Sequence, residues 1–436
     1  MIILWLRGLL GIAALLGLAA ACSNNRRAIN WRLVAGGMGL QVFLGIALIR
    51  IPFVRTVFRH ISHFFVAILD FTDAGATFLF GNLVTDTSTF GFIFTFQVLP
   101  TIIFFSAFTS LMYYLGILQR IVLAFAWLMS KVMNISGAES VAAAANVFVG
   151  QTEAPLVVKP YIPKMTRSEI MSLMTGGMAT IAGAVLVAYI GLLGGDDPTL
   201  RAQYASHLLI ASIMSAPAAL VAAKILLPES EPVNRDILIA KENIGSNMLD
   251  ALTTGTTQGL QLALNVGAML LVFIAMVAMI NAMFGMIGDI SIGSWDGLNE
   301  NMQAWTDGRF SSLSMQSILA YLFAPVAWLI GVTGEDVLIF GALLGEKMVI
   351  NEFVAFNSLM EARDANSFMD PRSVMIATFA LCGFANFSSI GIQIGGISVL
   401  APEKRSTLCA LGVRALIGGF IATLMTATLA GMLLPA

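Results

Sequence analysis

The sequence predicts an all-α integral membrane protein with eight transmembrane helices. Hydrophobic residues make up 58% of the 436 residues and charged residues only 11%, with a mean hydropathy of +0.87. A soluble domain carries about 25% charged residues to cover its surface, so this chain requires a solvent other than water. Its apolar segments are each about 20 residues long, which suits a spanning helix, whereas a barrel strand needs only about 10.

Eight apolar segments are long enough to cross a bilayer, and they occupy residues 2–22, 33–51, 92–117, 170–193, 208–227, 260–286, 374–394 and 408–434. Two further apolar segments leave alternatives open. Segment 121–135 is too short to span, and segment 313–332 is long enough but contains Pro325. If both are interfacial helices, the chain has eight full spans and both termini lie outside the cytoplasm.

The charges support this orientation in a multi-pass protein of the inner (plasma) membrane. The predicted cytoplasmic connections carry the larger share of Lys and Arg, including Arg26, Lys159 and Lys404. Residues 18–22 resemble a lipoprotein processing site, but a secretory signal has its positive charges before the apolar run. Here Arg26 and Arg27 follow it, so we expect a first span with its N-terminus outside.

The sequence lacks the residues that several classes of protein require for their function. The three cysteines fit neither a disulfide framework nor a metal-ligand spacing, and no zinc-peptidase helix, Gly-x-Ser-x-Gly elbow or P-loop is present. These absences argue against an enzyme and against an ATP-driven pump. The net charge of −2, without a basic cluster, indicates no nucleic-acid partner. The longest polar stretch, 228–247, is too short for the sensing module of a receptor.

That polar stretch divides the chain into two similar halves. Each half has a short apolar segment, a glutamate-bearing segment (150–161 or 345–356) and a span interrupted by glycine and small polar residues (176–183 or 383–389). Interrupted segments at corresponding positions of two halves indicate a transporter site at the repeat interface. The predicted division is N-terminal scaffold spans 1–117, first repeat 118–227, cytoplasmic loop 228–256, scaffold span and loop 257–312, and second repeat 313–436.

Glu153 lies between apolar runs, where a charge at the bilayer centre costs about 3 kcal/mol. Gly150 and Pro155 bracket it, which suits a hairpin that stops inside the membrane. One interpretation is a structural helix cap. The other is a ligand site, in which Gln151 and Glu153 offer the donors and acceptors that a nucleobase needs.

Glu352 is the second carboxylate inside an apolar run. A carboxylate accepts two hydroxyl hydrogen bonds at once, which suits the vicinal diol of a ribose. The alternative is a structural glutamate paired with Lys347, and Lys347 itself is open to a third interpretation as a membrane-boundary residue. Asn386 and Ser389 lie in the interrupted span, where such side chains often bond a neighbouring helix instead of a substrate.

Segments 150–156, 345–356 and 383–389 resemble, in this order, the signature motifs of concentrative nucleoside transporters, and the resemblance covers essentially the whole chain. It implies a homotrimer whose protomer has eight spans, two opposed re-entrant hairpins and interfacial helices, with segment 313–332 among the latter. It also implies residue roles. The nucleobase contacts are Gln151, Thr152, Glu153 and Val185, and the ribose contacts are Glu352, Asn386, Ser389 and Phe384.

The resemblance further implies sodium as the coupling ion and no organic cofactor. Asparagine and hydroxyl side chains with freed carbonyls bind sodium in such transporters, and the matching positions are Asn146, Val149, Thr180 and Ile181. The predicted function is sodium-driven nucleoside import by an elevator-type movement, with nucleoside and membrane lipid as partners. The alternative is a proton-coupled nucleoside symporter, because Glu153 or Glu352 could carry a proton.

Overall fold

The computed structural model describes residues 2–91, 93–195, 197–237, 245–291, 297–306, 308 and 310–434. Within these residues the chain forms helices and no β-strand, which confirms the predicted all-α class. The first residue of the predicted span 92–117 and parts of the predicted segments 228–256, 257–312 and 313–436 lie outside the described residues.

Seven helices form the N-terminal part of the chain: α1 (Ile2–Ala21), α2 (Trp31–Arg50), α3 (Pro52–Phe80), α4 (Asn82–Thr85), α5 (Thr87–Phe90), α6 (Phe94–Gln97) and α7 (Leu99–Tyr114). The next six are α8 (Ile117–Met133), α9 (Gly137–Asn146), α10 (Ala154–Val157), α11 (Arg167–Ala179), α12 (Gly183–Gly194) and α13 (Pro198–Leu226).

The remaining helices are α14 (Met248–Gly288), α15 (Leu298–Trp305), α16 (Met315–Leu329), α17 (Val337–Val349), α18 (Glu352–Asp364), α19 (Pro371–Leu381), α20 (Phe387–Leu400) and α21 (Arg405–Leu433). Helix α14 begins inside the segment predicted as the loop 228–256, because Asn247 caps it by accepting from the Asp250 N–H.

In the described residues, 8 helices are long and apolar enough to cross a membrane by length and composition. They include seven of the predicted spans and, in addition, α3, which the sequence analysis did not predict. The predicted span 374–394 is instead divided between α19 and α20. Helix α3 escaped prediction because Arg55, Arg59, Asp70 and Asp73 interrupt its apolar residues.

Helix α13 lies at the centre of the bundle and packs against α2, α11, α12 and α21. All residues in its most apolar stretch are buried inside the protein, which suits a helix that is apolar all round. Helix α14 is the opposite case, since only 6% of the residues in its most apolar stretch are buried inside the protein. Its 41 residues extend about 60 Å, roughly twice the thickness of a hydrocarbon core.

Two pairs of helices are too short to cross a bilayer singly. Helix α9 has 10 residues and the following α10 only 4, while α17 and α18 have 13 residues each. At about 1.5 Å per residue none reaches the roughly 30 Å of a hydrocarbon core. The glutamate-bearing segments of both halves therefore lie at breaks between short helices.

A buried ion cluster holds the start of α9 against the bundle. Lys224 of α13 pairs with Glu139 of α9 and lies 3.4 Å from a carboxylate oxygen of Glu229. Its ammonium also donates to Ser168 Oγ at 2.9 Å. Glu139 additionally closes a capping box with Ser136 at the N-terminus of α9. The cluster thus joins α9, α11 and α13.

We predict that Lys224→Met lowers the thermal unfolding midpoint of the detergent-solubilised protein. Removing one partner of a buried pair leaves an uncompensated charge, which costs about 3–5 kcal/mol. Lys131→Met is the matched control, because Lys131 is exposed. Equal midpoints for the two variants would contradict a structural role of the cluster.

Candidate functional site

Two helices of the bundle are broken, and the breaks meet. Between α11 and α12 the chain is extended at Thr180, with φ −120° and ψ 169°. Between α19 and α20, Gly383 has φ +151°. The Phe384 N–H donates to the Thr180 carbonyl oxygen at 3.4 Å. Helix ends with unsatisfied backbone groups from both halves of the chain therefore converge at one place.

The turn that follows α9 docks against the first break. The Gly183 N–H donates to the Phe148 carbonyl at 3.0 Å, and the Gly150 N–H donates to Glu153 Oε2 at 3.0 Å. Asn146, at the end of α9, is 1% exposed. Neither its Oδ1 nor its Nδ2 has a hydrogen-bond partner among the residues that the structure describes. A buried amide without partners is unfavourable, so this side chain is suited to a ligand.

Consecutive glycines of α11 make room for this turn. An ideal Cβ at Gly176 would lie 3.1 Å from Asn146 Nδ2. A Cβ at Gly177 would lie 2.9 Å from Gln151 Cβ and 2.6 Å from Gln393 Nε2. Larger residues at these positions would separate the turn from α11.

The predicted ribose residues form one hydrogen-bonded group. Glu352, which is 3% exposed, accepts at Oε2 from Asn386 Nδ2 at 2.7 Å. Asn386 also caps α20, because its Oδ1 accepts from the Ser389 N–H at 2.8 Å. Phe384 is buried in the connection before α20. A carboxylate, an amide and a hydroxyl from the second half of the chain thus lie side by side.

The predicted base residues come together only in part. Gln151 joins the group above, since its Nε2 donates to Ser389 Oγ at 3.1 Å. Thr152 is exposed and lies against Gly396 of α20. Val185 is buried in α12.

Glu153 lines a separate cavity of about 130 Å³. It is also lined by Ser106, Ser110 and Tyr113 of α7, by Gln258 of α14 and by Val149. The cavity thus lies where the α9–α10 turn meets α7 and α14, and its lining combines polar with apolar side chains.

Thr180 and Ile181 lie at the first break, and both are buried. The Thr180 hydroxyl donates to the Gly176 carbonyl at 2.9 Å, which leaves its oxygen lone pairs available. Asn146 and Val149 lie in the neighbouring turn. The four positions offer an amide oxygen, a hydroxyl and backbone carbonyls, which are the hard, neutral ligands that suit Na+.

Lys347 is fully buried inside the protein, which argues against a side chain that extends to the lipid headgroups. Its ammonium donates to the Ala380 carbonyl at 2.7 Å and to Thr423 Oγ1 at 2.9 Å. These hydrogen bonds go to neutral oxygens instead of the Glu352 carboxylate. Lys347 therefore ties α17 to α19 and α21 just before the second break.

The sequence analysis missed two residues of the site. The Tyr189 hydroxyl of α12 donates to Glu352 Oε1 at 3.2 Å. Gln393 of α20 donates to Gln151 Oε1 at 3.0 Å. Signals for both were present, because Tyr189 is a polar-tipped residue in an apolar run and Gln393 lies four residues after Ser389, on the same helix face.

Interrupted helices that meet inside a membrane bundle, beside buried carboxylates and amides, define a secondary transporter. Family models support this class. Those described as Na+ dependent nucleoside transporter N-terminus and C-terminus match residues 10–83 and 207–431, and one described as nucleoside recognition matches residues 95–196. The chain belongs to the Na+-dependent nucleoside transporter family, which confirms the resemblance found in the sequence.

Relatives agree with this assignment. An uncharacterised transporter of Haemophilus influenzae is 39% identical over 98% of this chain and 97% of its own length. Sodium/nucleoside cotransporter 1 of Rattus norvegicus is 39% identical over 97% of this chain, which spans 63% of the rat protein. Because these relatives are transporters, the interpretation that the chain is not an enzyme is confirmed.

Solved structures show the same fold. CNTnw in an inward-facing substrate-bound state has a TM-score of 0.88 and 39% identity, with 98% of each chain covered. A CNTnw variant in an outward-facing state has a TM-score of 0.85 and 37% identity, with 98% of this chain and 97% of that chain covered.

We predict that Gly383→Ala destabilises the protein by about 1–3 kcal/mol. The new Cβ would meet the Ala179 carbonyl oxygen at 2.9 Å, on a backbone conformation that L side chains rarely adopt. Gly39→Ala is the matched control, because nothing lies within 4 Å of that Cβ. Thermal unfolding in detergent measures the difference, and unchanged stability of Gly383→Ala would argue against the contact between the breaks.

Proposed function

We propose that this protein is a secondary active symporter that imports nucleosides, uridine-type and broad in base preference, with inward sodium flow. The observation that carries the proposal is the continuous group Glu352–Asn386–Ser389–Gln151, which joins the predicted ribose and base contacts from both halves. Glu352 offers a two-point acceptor for the ribose diol, and Gln151 offers a donor for the base. The further proposed nucleoside contacts are Thr152, Glu153, Val185 and Phe384, of which Glu153 lines the separate cavity described above.

Asn146, Val149, Thr180 and Ile181 form the proposed sodium site. The unpartnered amide oxygen of Asn146 supports it, because a cation beside that oxygen removes the cost of its burial. Bound sodium supplies a positive charge that favours an ordered turn. That turn carries Gln151 into the nucleoside site, so ion and substrate binding are coupled through the same few residues.

Helices α9–α10 and α17–α18 are the proposed re-entrant hairpins, one in each repeat. Helices α3, α8 and α16 lie along the membrane interface in this scheme, and α19 with α20 forms one broken crossing. The charges of α3 support its interfacial placement. The chain then crosses the inner membrane eight times, with both termini outside the cytoplasm.

The proposed assembly is a homotrimer in lipid, and α14 is its best-suited contact surface. Leu264, Leu271 and Met279 are among its exposed apolar side chains. Helices α7 and α14 form a scaffold, because Gly255 and Gly259 bring α14 directly against α7. The hairpins and broken helices move past this scaffold as an elevator. Moving one charge through 100 mV supplies about 2.3 kcal/mol, which supports roughly fifty-fold accumulation.

Uridine uptake into proteoliposomes tests the proposal, with sodium and proton gradients imposed separately. The expected result is uptake that requires inward sodium. Full uptake in sodium-free buffer with only an inward proton gradient would favour the proton-coupled alternative, with Glu153 or Glu352 as the carrier. No nucleoside uptake under either gradient would reject the proposed function.

Asn146→Ala is expected to raise the sodium concentration for half-maximal uridine uptake, because the ion loses a side-chain oxygen. Asn357→Ala is the control, since that half-buried side chain donates to Glu361, which is outside the proposed sodium site. Uridine uptake is measured against sodium concentration at saturating uridine, and the half-maximal sodium concentrations of the two variants are compared. An unchanged sodium requirement in Asn146→Ala would rule Asn146 out as a ligand.

Glu352→Gln is expected to abolish most uridine uptake while the protein still inserts into the membrane. One carboxylate oxygen becomes an NH2 group, so a charge-assisted bond worth about 1.5–3 kcal/mol is lost. The half-saturating uridine concentration should rise at least about tenfold. Glu361→Gln, in the last turn of the same helix, controls for the loss of a carboxylate. Wild-type kinetics in Glu352→Gln would exclude the ribose role.

A further inference from the structure

Gln393 is a buried amide that connects two parts of the site. Only 1% of the residue is exposed. Its Nε2 donates to the Met174 carbonyl at 3.0 Å and to Gln151 Oε1 at 3.0 Å. Gln151 in turn donates from its Nε2 to Ser389 Oγ at 3.1 Å. A directed chain therefore runs from a backbone carbonyl of α11 through two amides to a hydroxyl.

The direction of this chain is set at its first member. A backbone carbonyl can only accept, so only the NH2 end of Gln393 can face Met174. The same NH2 group then faces Gln151 and requires the oxygen end of that amide. Gln151 must accordingly turn its own NH2 group away from Gln393, toward Ser389.

The opposite end of Gln393 does not change this orientation. Its Oε1 is buried and has no hydrogen-bond partner in the part of the chain that the structure describes. Turning the Gln393 amide over would place that oxygen against the carbonyl of Met174 and the oxygen of Gln151. The two acceptors thus determine the orientation, even though the Gln393 oxygen is left without a donor.

We propose that Gln393 is a specificity-determining positioning residue, which holds Gln151 with its NH2 end toward the nucleoside. This inference rests on the proposed function. One hydrogen of Gln151 Nε2 binds Ser389, and the second is available to the base. The site then favours bases with a carbonyl acceptor at that edge over bases with an amino donor there. Uridine is preferred to cytidine, in which an amino group replaces the C4 carbonyl and N3 is an acceptor instead of a donor.

Helix α11 leaves room for this chain of hydrogen bonds. A Cβ at Gly177 would lie 2.6 Å from Gln393 Nε2, so α11 accommodates the second amide only because this residue is glycine. Gln393 also lies one helical turn after Ser389 on α20. The residue that orients Gln151 and the hydroxyl that Gln151 binds therefore share one rigid helix.

The test uses the full-length protein in detergent and in proteoliposomes. Uridine and cytidine are titrated separately against the thermal unfolding midpoint, and each also competes with radiolabelled uridine for uptake. The measured quantity is the ratio of the two apparent affinities. Gln393→Met removes the orienting donor at similar volume. Gln393→Glu replaces that donor with an acceptor that faces both Gln151 and the Met174 carbonyl, so Gln151 is expected to turn over and present its NH2 group.

The wild type is expected to prefer uridine by about tenfold, the equivalent of about 1.4 kcal/mol. Gln393→Met should bring the ratio to about one, and Gln393→Glu should invert it in favour of cytidine. Gln41→Met is the control, because Gln41 is also fully buried but donates to Thr426 Oγ1 away from the site. That variant should keep the wild-type ratio.

A wild-type ratio in Gln393→Met, or equal affinities in the wild type, overturns the inference. If Gln393→Glu does not fold, Gln393→Met alone decides. Stabilisation of the wild type by nucleosides, with a ratio that Gln393→Met does not change, rejects the positioning role and leaves the proposed function intact. If neither nucleoside stabilises the wild type or competes for its uptake of uridine, both the inference and the proposed function are rejected.

Discussion

The site depends on the close approach of α11 to the α9–α10 turn and to the second helix break. Gly176, Gly177 and Gly383 permit it, because a Cβ at any of them would come within 3.1 Å of a neighbouring atom. A glycine inside a helix is about 1 kcal/mol less favourable than alanine. The sequence thus gives up some helix stability at α11 and obtains the close approach of Asn146, Gln151 and Gln393 to that helix.

Helix capping and the proposed substrate contacts use the same side chains here. Asn386 caps α20 with its Oδ1 and holds Glu352 with its Nδ2. Asn351 caps α18 by accepting from the Val354 N–H at 3.0 Å, so Glu352 becomes the first helical residue. A carboxylate at a helix N-terminus is favoured by the helix dipole. Burial of Glu352 is therefore supported before any ligand contributes.

The sequence predicted local features of this arrangement, but it did not predict contacts between residues that are far apart along the chain. The apolar lengths predicted the helical class, and the breaks in local pattern around Glu153 and Glu352 identified both short-helix segments. Helix α3 was missed because its charged residues make the segment look like a loop, and the sequence does not show which residues they contact. Gln393 and Tyr189 were missed because their partners lie 242 and 163 residues away, and single-sequence patterns carry no information on such pairs.

The same contacts determine which parts of the protein can move together. The chain from Met174 through Gln393 and Gln151 to Ser389 crosses between the two halves, as does the bond between Thr180 and Phe384. Breaking them would expose buried polar groups to an apolar interior, so in the proposed mechanism the short-helix segments and the broken helices move as one body. On the opposite side, α7 and α14 are joined by close backbone contact at Gly255 and Gly259. The cavity lined by Glu153 and by hydroxyls of α7 lies where the α9–α10 turn meets α7 and α14, while α12 packs directly against α7. In the proposed mechanism, this boundary is where the two groups of helices slide past each other.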